Sequence, residues 1–292
     1  MWFSSLTTSL IQTIKIRLQG IEMTLISLLL VLFIERITTK SRYWQAEFYV
    51  SKYLALLSKR EWLSPSSPTW LLSIVIVVPA LILFVALHWF FGGLLGFVLS
   101  TAILMVCVGC PNVRETYKHF LQAADRGDTE ACSLYAEQIT GPQEEMQTLG
   151  QNLVWKNYQH YAAVILFFVA FGAAGAMLYV IARGLQKRFC AQSEHIDKIM
   201  HILDILPVRI TALGFLLVGH FSRAFPIWLG HLLVPTVAAK TLLVEVCTAA
   251  EEIEPDELNC TEEPCTLVRL AKRNIMFLMV IISGLTLTGW LS

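Results

Sequence analysis

Asp204 and Arg209 are the pair in this chain whose types and position most suggest chemistry. They lie in His201–His220, HILDILPVRITALGFLLVGH, an otherwise apolar run, with Pro207 between them. An ionisable group at the centre of a bilayer costs about 2.5–3.5 kcal/mol on insertion scales. Two of them are therefore either partnered or not at bilayer depth. Five positions apart, they do not face each other on a regular helix, where neighbours are three or four apart. Pro207 removes a backbone hydrogen bond and bends the helix, which either brings the pair together or frees carbonyls for other partners. Two roles are open: a structural ion pair that pins the helix, or an Arg209 that contacts an anionic ligand in a cytoplasm-facing cavity with Asp204 orienting it. Glu35 and Arg36, at the end of the first apolar run, are further candidates for this cluster.

Other chemistry is sparse. Ser and Cys residues near the apolar runs lack a patterned His and Asp, so no catalytic set is expected. No Gly-rich loop is placed to cradle a phosphate. Cys107-x-x-Cys110 ends an apolar helix outside any βαβ context and is a weak redox signal. Cys260 and Cys265 lie in an acidic loop with too few partners for zinc. His201 and His220 are nineteen apart without a ligand set, and His88 sits alone in an apolar span. No metal and no cofactor are expected.

The elements that must position these residues are membrane helices. The 292 residues are 55% hydrophobic and only 15% charged, against about a quarter charged in soluble domains. Lys plus Arg equals Asp plus Glu at 22 each, so no net field favours nucleic acid; the expected partner is the lipid bilayer. The seven Cys are odd in number and scattered, which argues against a disulfide framework.

Residues 1–22 read as an N-terminal extension, because Met23 opens MTLISLLLVLFIERI as a natural start. Residues 23–110 carry the first membrane helices. Thr24–Ile34 is a short apolar run of eleven residues; Thr69–Cys110 has 42 residues without Asp, Glu, Lys or Arg. As helix that is about 63 Å, twice a hydrocarbon core, so it must be a two-span hairpin turning at Gly92-Gly93. Between them, 36–68 is a basic, aromatic, amphipathic cytoplasmic loop. Residues 111–153 form a cytoplasmic segment of two helices, Val113–Asp125 and Thr129–Ile139, joined by Arg126-Gly127 and capped by Asp128.

Residues 154–221 hold two membrane-dipping segments. Tyr161–Ala182 is 22 uncharged residues long but has Phe171-Gly172-Ala173-Ala174-Gly175 at its centre. Positive loops stay inside, and both of its flanks are positive, so a re-entrant pair bent at Gly172–Gly175 is expected. The same flank argument makes His201–His220 a dip or an interfacial helix. Residues 222–273 read as a cytoplasmic acidic loop, and 274–292 as the last transmembrane helix. The fold class is all-α: a polytopic membrane protein with four crossings and two re-entrant or interfacial segments.

MTLISLLLVLFIER, QAADRGDTEACSLYAEQI and LDILPVRITALGFLLVGHFSRAFPIW together resemble the AmpE family of bacterial inner-membrane proteins, from Met23 onward. The block from Leu203 to Leu213 is the most specific part. The resemblance implies a multi-pass inner-membrane modulator of β-lactamase induction that works without chemistry of its own, with a cell-wall-recycling or β-lactamase-regulation component as its partner. The same blocks remotely resemble the CbiB/CobD cobalamin-biosynthesis family, which forms an amide using ATP. That family's acidic block becomes Lys156-Asn157-Tyr158-Gln159-His160-Tyr161 here, without both acids, while its second motif survives as Pro207-Val208-Arg209-Ile210. A small-molecule transporter, with the two dips as broken helices, is a further alternative.

Overall fold

The computed structural model describes residues 24–38, 40–59, 67–89, 93–141, 148–189, 193–232, 234, 236–251 and 261–288. Every regular element among them is helical. In chain order these are α1 (24–37), a 3-10 turn (Arg42–Trp44), α2 (Ala46–Lys59), α3 (Thr69–Trp89), α4 (Gly93–Cys107), α5 (Pro111–Asp125), α6 (Thr129–Thr140), α7 (Leu149–Asn157), a π turn (Tyr158–Ala162), α8 (Ala163–Arg188), α9 (Glu194–Val218), α10 (Phe221–Leu232), α11 (Ala239–Ala250) and α12 (Glu262–Leu287). The expected extension 1–22 and most of the Gly92-Gly93 turn lie outside the described residues.

The centre is α8, which packs against α2, α3, α4 and α9. It is broken at Gly172, whose φ of 65° and ψ of −156° fall in a region essentially reserved for glycine. Beyond the break the chain doubles back. The rings of Phe167 and Tyr179 stack at 5.0 Å, although a straight helix would separate residues twelve apart by about 18 Å. Arg183 Nη1 donates to the Gln159 carbonyl at 2.5 Å, tying the base of the two arms. Gly175 has no room for a side chain: a Cβ there would lie 2.3 Å from the Phe167 carbonyl oxygen. Gly172 thus makes the bend and Gly175 lets the arms close.

Among the described residues, four stretches are long and apolar enough to cross a membrane: Thr69–Trp89, Leu149–Arg188, Glu194–Val218 and Glu262–Leu287. A fifth arises if α4 and α5, bent by 43°, count as one. Because Leu149–Arg188 folds back at Gly172, its length does not measure a crossing; the 16 residues after the break reach only about 24 Å, short of the ~30 Å core. On α3, Ile74, Val77, Leu81, Ile82, Phe84 and Val85 are exposed, an apolar surface that water does not tolerate at this extent. The protein is a multi-pass membrane protein.

Pro79 leaves the Val75 carbonyl without its helical donor. The Tyr53 hydroxyl of α2 fills the gap at 3.0 Å, so the amphipathic helix expected within 36–68 is latched onto α3. The pair α5 and α6 forms as its signals dictate. Asp128 accepts from the Ala131 amide at 3.0 Å, Gly127 takes the turn with φ +71°, and Phe120, Ala123 and Cys132 make a small core of their own.

Two expectations change. The stretch 222–273, read as an acidic loop, contains α10, α11 and the first turns of α12. Its acidic residues masked a helical repeat: Leu242, Leu243, Val246, Cys247 and Ala250 recur at helix spacing and are buried. The last membrane helix accordingly starts at Glu262 rather than at 274. α9 is continuous over 25 residues despite Pro207, about 37 Å, so its length permits a full crossing where flank charge alone suggested a dip.

Candidate functional site

A cleft of about 960 Å³ lies at the base of the α8 hairpin. The π turn forms one wall. Such turns insert an extra residue into a helix and occur often at functional sites. Here it splays Tyr158, His160 and Tyr161 towards three different neighbours. The second arm of α8 contributes Arg183 and Lys187, α9 contributes His201 and Asp204, and α11 contributes Lys240. Lys156 and Asn112 add to the polar lining. Four cations and three carboxylates (Glu47, Asp197, Asp204) face this space, leaving it one unit positive.

Asp204 is 3% exposed. Its Oδ1 accepts from the Tyr158 hydroxyl at 2.6 Å and from the Tyr179 hydroxyl at 3.0 Å. One oxygen thereby joins both arms of the hairpin to α9. Hydrogen bonds to an ionised acceptor are the strong kind, and a buried carboxylate needs them. Arg183, also buried, is aimed at the Gln159 carbonyl as described above. Lys240 donates to Asn152 Oδ1 at 3.0 Å.

Arg209 does not meet Asp204. It donates to the Ile205 carbonyl at 2.9 Å and to the Val234 carbonyl at 3.3 Å, and its own carbonyl accepts from the Trp228 indole. It fastens α9 to α10 and to the connection after it. The five-residue spacing decides this: about 140° separates the two side chains around the helix, and Pro207 does not unwind it. Glu35 is likewise elsewhere. Its carboxylate pairs with Arg114 at 3.0 Å and accepts from the Tyr161 hydroxyl at 2.6 Å. Arg114 also reaches the Glu35 carbonyl. Arg36 is exposed. Lys40 donates to the Met105 and Val108 carbonyls at 2.5 and 2.6 Å, closing the C-terminal end of α4; burial pushes its ammonium below the ordinary lysine range, with Glu35 pulling it back. These groups clasp α1, α4 and α5 around the π turn and do not line the cleft.

Pro207 is buried on α9, and its carbonyl accepts from the Thr211 hydroxyl at 2.8 Å. Arg183, Tyr158 and Tyr179 are site residues that no motif or spacing in the sequence marks as such. Glu47, Cys110 and His160 place one potential ligand atom each within 4.8 Å of one another. They come from α2, the residue before α5 and the π turn, so no local spacing announces them.

A family model described as "Regulatory signalling modulator protein AmpE" matches residues 23–292. The chain belongs to the AmpE family. It is similar to Protein AmpE of Shigella flexneri, with 26% identity over 286 residues, 91% of this chain and 99% of the relative. No solved structure matches. Membership in AmpE gives the protein a regulatory role in general terms. The match takes in all the cleft residues named above, from Glu47 to Lys240.

Proposed function

We propose that this protein sits in the bacterial inner membrane and modulates β-lactamase induction by sensing a small anionic product of cell-wall recycling in the cleft at the base of α8, which faces the cytoplasm. The carrying observation is the buried Arg183 among Lys156, Lys187 and Lys240 in a cleft large enough for a small molecule. Arg183 is held by a single carbonyl, and a carboxylate or phosphate oxygen is the stronger acceptor. Ligand binding would draw Arg183 from Gln159, loosen the base of the hairpin and so alter the surface that a regulatory partner reads. Arg183, not Arg209, is then the ligand-facing cation. Asp204 acts through the two tyrosines, and Glu35, Arg36 and Arg209 lie outside the contact.

The test is β-lactamase induction in cells carrying Arg183→Gln or Arg209→Gln at equal membrane abundance. Arg183→Gln is expected to match a deletion, and Arg209→Gln to keep most of the response. An induction curve unchanged by deletion refutes the modulator reading. The reverse order of the two variants refutes the cleft assignment.

One observation favours a second reading, a membrane enzyme on a CbiB/CobD-like scaffold: carboxylates and cations share one cleft, the kinds of group that hold magnesium and nucleotide phosphates. Purified protein would then bind ATP with magnesium, and a flat titration removes this alternative.

A further inference from the structure

The wall of the cleft carries a second arrangement that the ligand-sensing reading does not use. Cys110 Sγ, a His160 ring nitrogen and a Glu47 carboxylate oxygen lie within 4.8 Å of one another. His160 is 6% exposed, and its Nδ1 is buried without a hydrogen-bond partner. A buried nitrogen left without a partner is destabilising, and a metal ion at this position would relieve it.

We propose that Glu47, Cys110 and His160 bind one divalent transition-metal ion of the zinc type. Thiolate and imidazole select such ions over magnesium and calcium. Three protein ligands with a fourth position left open are the pattern of sites that exchange water or ligand. All three residues line the cleft, so the open position faces it. Tetrahedral coordination at normal bond lengths brings ligand atoms to about 3.3–3.8 Å from one another, a closure of at most about 1–1.5 Å for atoms that lie within 4.8 Å here. Glu47 can supply it. It lies in the first turn of α2, its side chain is 38% exposed, and its present partner is Lys187 at 3.2 Å. Metal binding takes that carboxylate from Lys187 and releases the Cys110 thiol proton to solvent. The ion, one thiolate and one carboxylate then sum to zero charge; two charges enter and one proton leaves, so the cleft rises from one net positive unit to two.

The inference stands apart from the signalling role, because metal binding is read on the purified full chain. Metal-stripped protein in detergent micelles is titrated with Co²⁺. One equivalent should give a thiolate-to-cobalt charge-transfer band with tetrahedral d–d bands, and Zn²⁺ should displace it. Cys110→Ser should abolish the charge-transfer band, Cys265→Ser should keep it, and His160→Gln and Glu47→Gln should each weaken binding at least tenfold. X-ray absorption on the wild-type Zn²⁺ form should show one sulfur with nitrogen and oxygen ligands, which keeps the test valid if a variant fails to fold. No charge-transfer band in the wild type, a band that survives Cys110→Ser, or a zinc shell with no sulfur or with several overturns the proposal.

Discussion

The contact between Asp204 and two tyrosines predicts a substitution whose effect changes sign with its background. The Tyr158 and Tyr179 hydroxyls both donate to Asp204 Oδ1, at 2.6 and 3.0 Å. A hydrogen bond to a charged acceptor contributes about 1.5–3 kcal/mol. Tyr158→Phe, which removes the shorter bond, should cost near the top of that range, and Tyr179→Phe near the bottom. With both hydroxyls gone, a carboxylate that is 3% exposed keeps neither donor, and an uncompensated buried charge costs about 3–5 kcal/mol. The double variant should therefore lose at least the sum of the singles, with a coupling of up to about 1 kcal/mol. Asp204→Asn alone keeps an acceptor oxygen for both tyrosines and loses only the charge assistance, a cost of about 1 kcal/mol. In the double-Phe background the same substitution removes the stranded charge and should regain about 2 kcal/mol. Reversible unfolding in mixed micelles, titrated with SDS and followed by helix circular dichroism, measures all five variants. If Asp204→Asn destabilises both backgrounds equally, the carboxylate is not held as an ion by these hydroxyls and the reasoning fails.

Gly172→Ala forces a Cβ into a conformation with φ +65° and should cost about 1–3 kcal/mol in the same assay; wild-type stability would show that the chain does not double back there. Gly214→Ala places a Cβ 2.1 Å from Asn274 Oδ1, which breaks the Asn274 bond to the Thr211 carbonyl and parts α9 from α12 at a cost of about 1–3 kcal/mol. Adding Asn274→Ala should recover most of the loss, and no recovery would place the strain elsewhere. Arg114→Ala leaves the buried Glu35 carboxylate with the Tyr161 hydroxyl alone; Arg114 is half exposed, so the loss falls between that of a surface pair and that of a buried one, about 1–2 kcal/mol, seen as lower membrane abundance. Glu35→Gln should restore that abundance, and failure to do so would mean that charge is not the cause.

What could be read from the sequence was local. The 42 uncharged residues from Thr69 to Cys110 became α3 and α4 because length against bilayer thickness is a one-dimensional argument. Asp128 announced its own cap, and Gly172 and Gly175 announced a break because glycine is where a helix in lipid can afford one. The helices of 222–273 were less visible, since eight acidic residues between Glu245 and Glu263 outweighed the buried stripe through Leu242, Val246 and Ala250. Spacing correctly warned that Asp204 and Arg209 do not face each other, but it could not say where either would turn.

Their partners depend on the fold-back itself. Tyr158 and Tyr179 are 46 and 25 residues from Asp204, and they converge only because the chain reverses at Gly172. The same reversal brings Arg183 to Gln159. The bend that shortens the arms below bilayer thickness therefore also assembles the polar base. A helix that crossed straight through would have carried Tyr179 and Arg183 about 30–40 Å away from the π turn, and Asp204 would have had one donor instead of two. The break, the buried carboxylate and the cationic cleft are consequences of one geometric event, so a variant that straightens Gly172 should lose all three together.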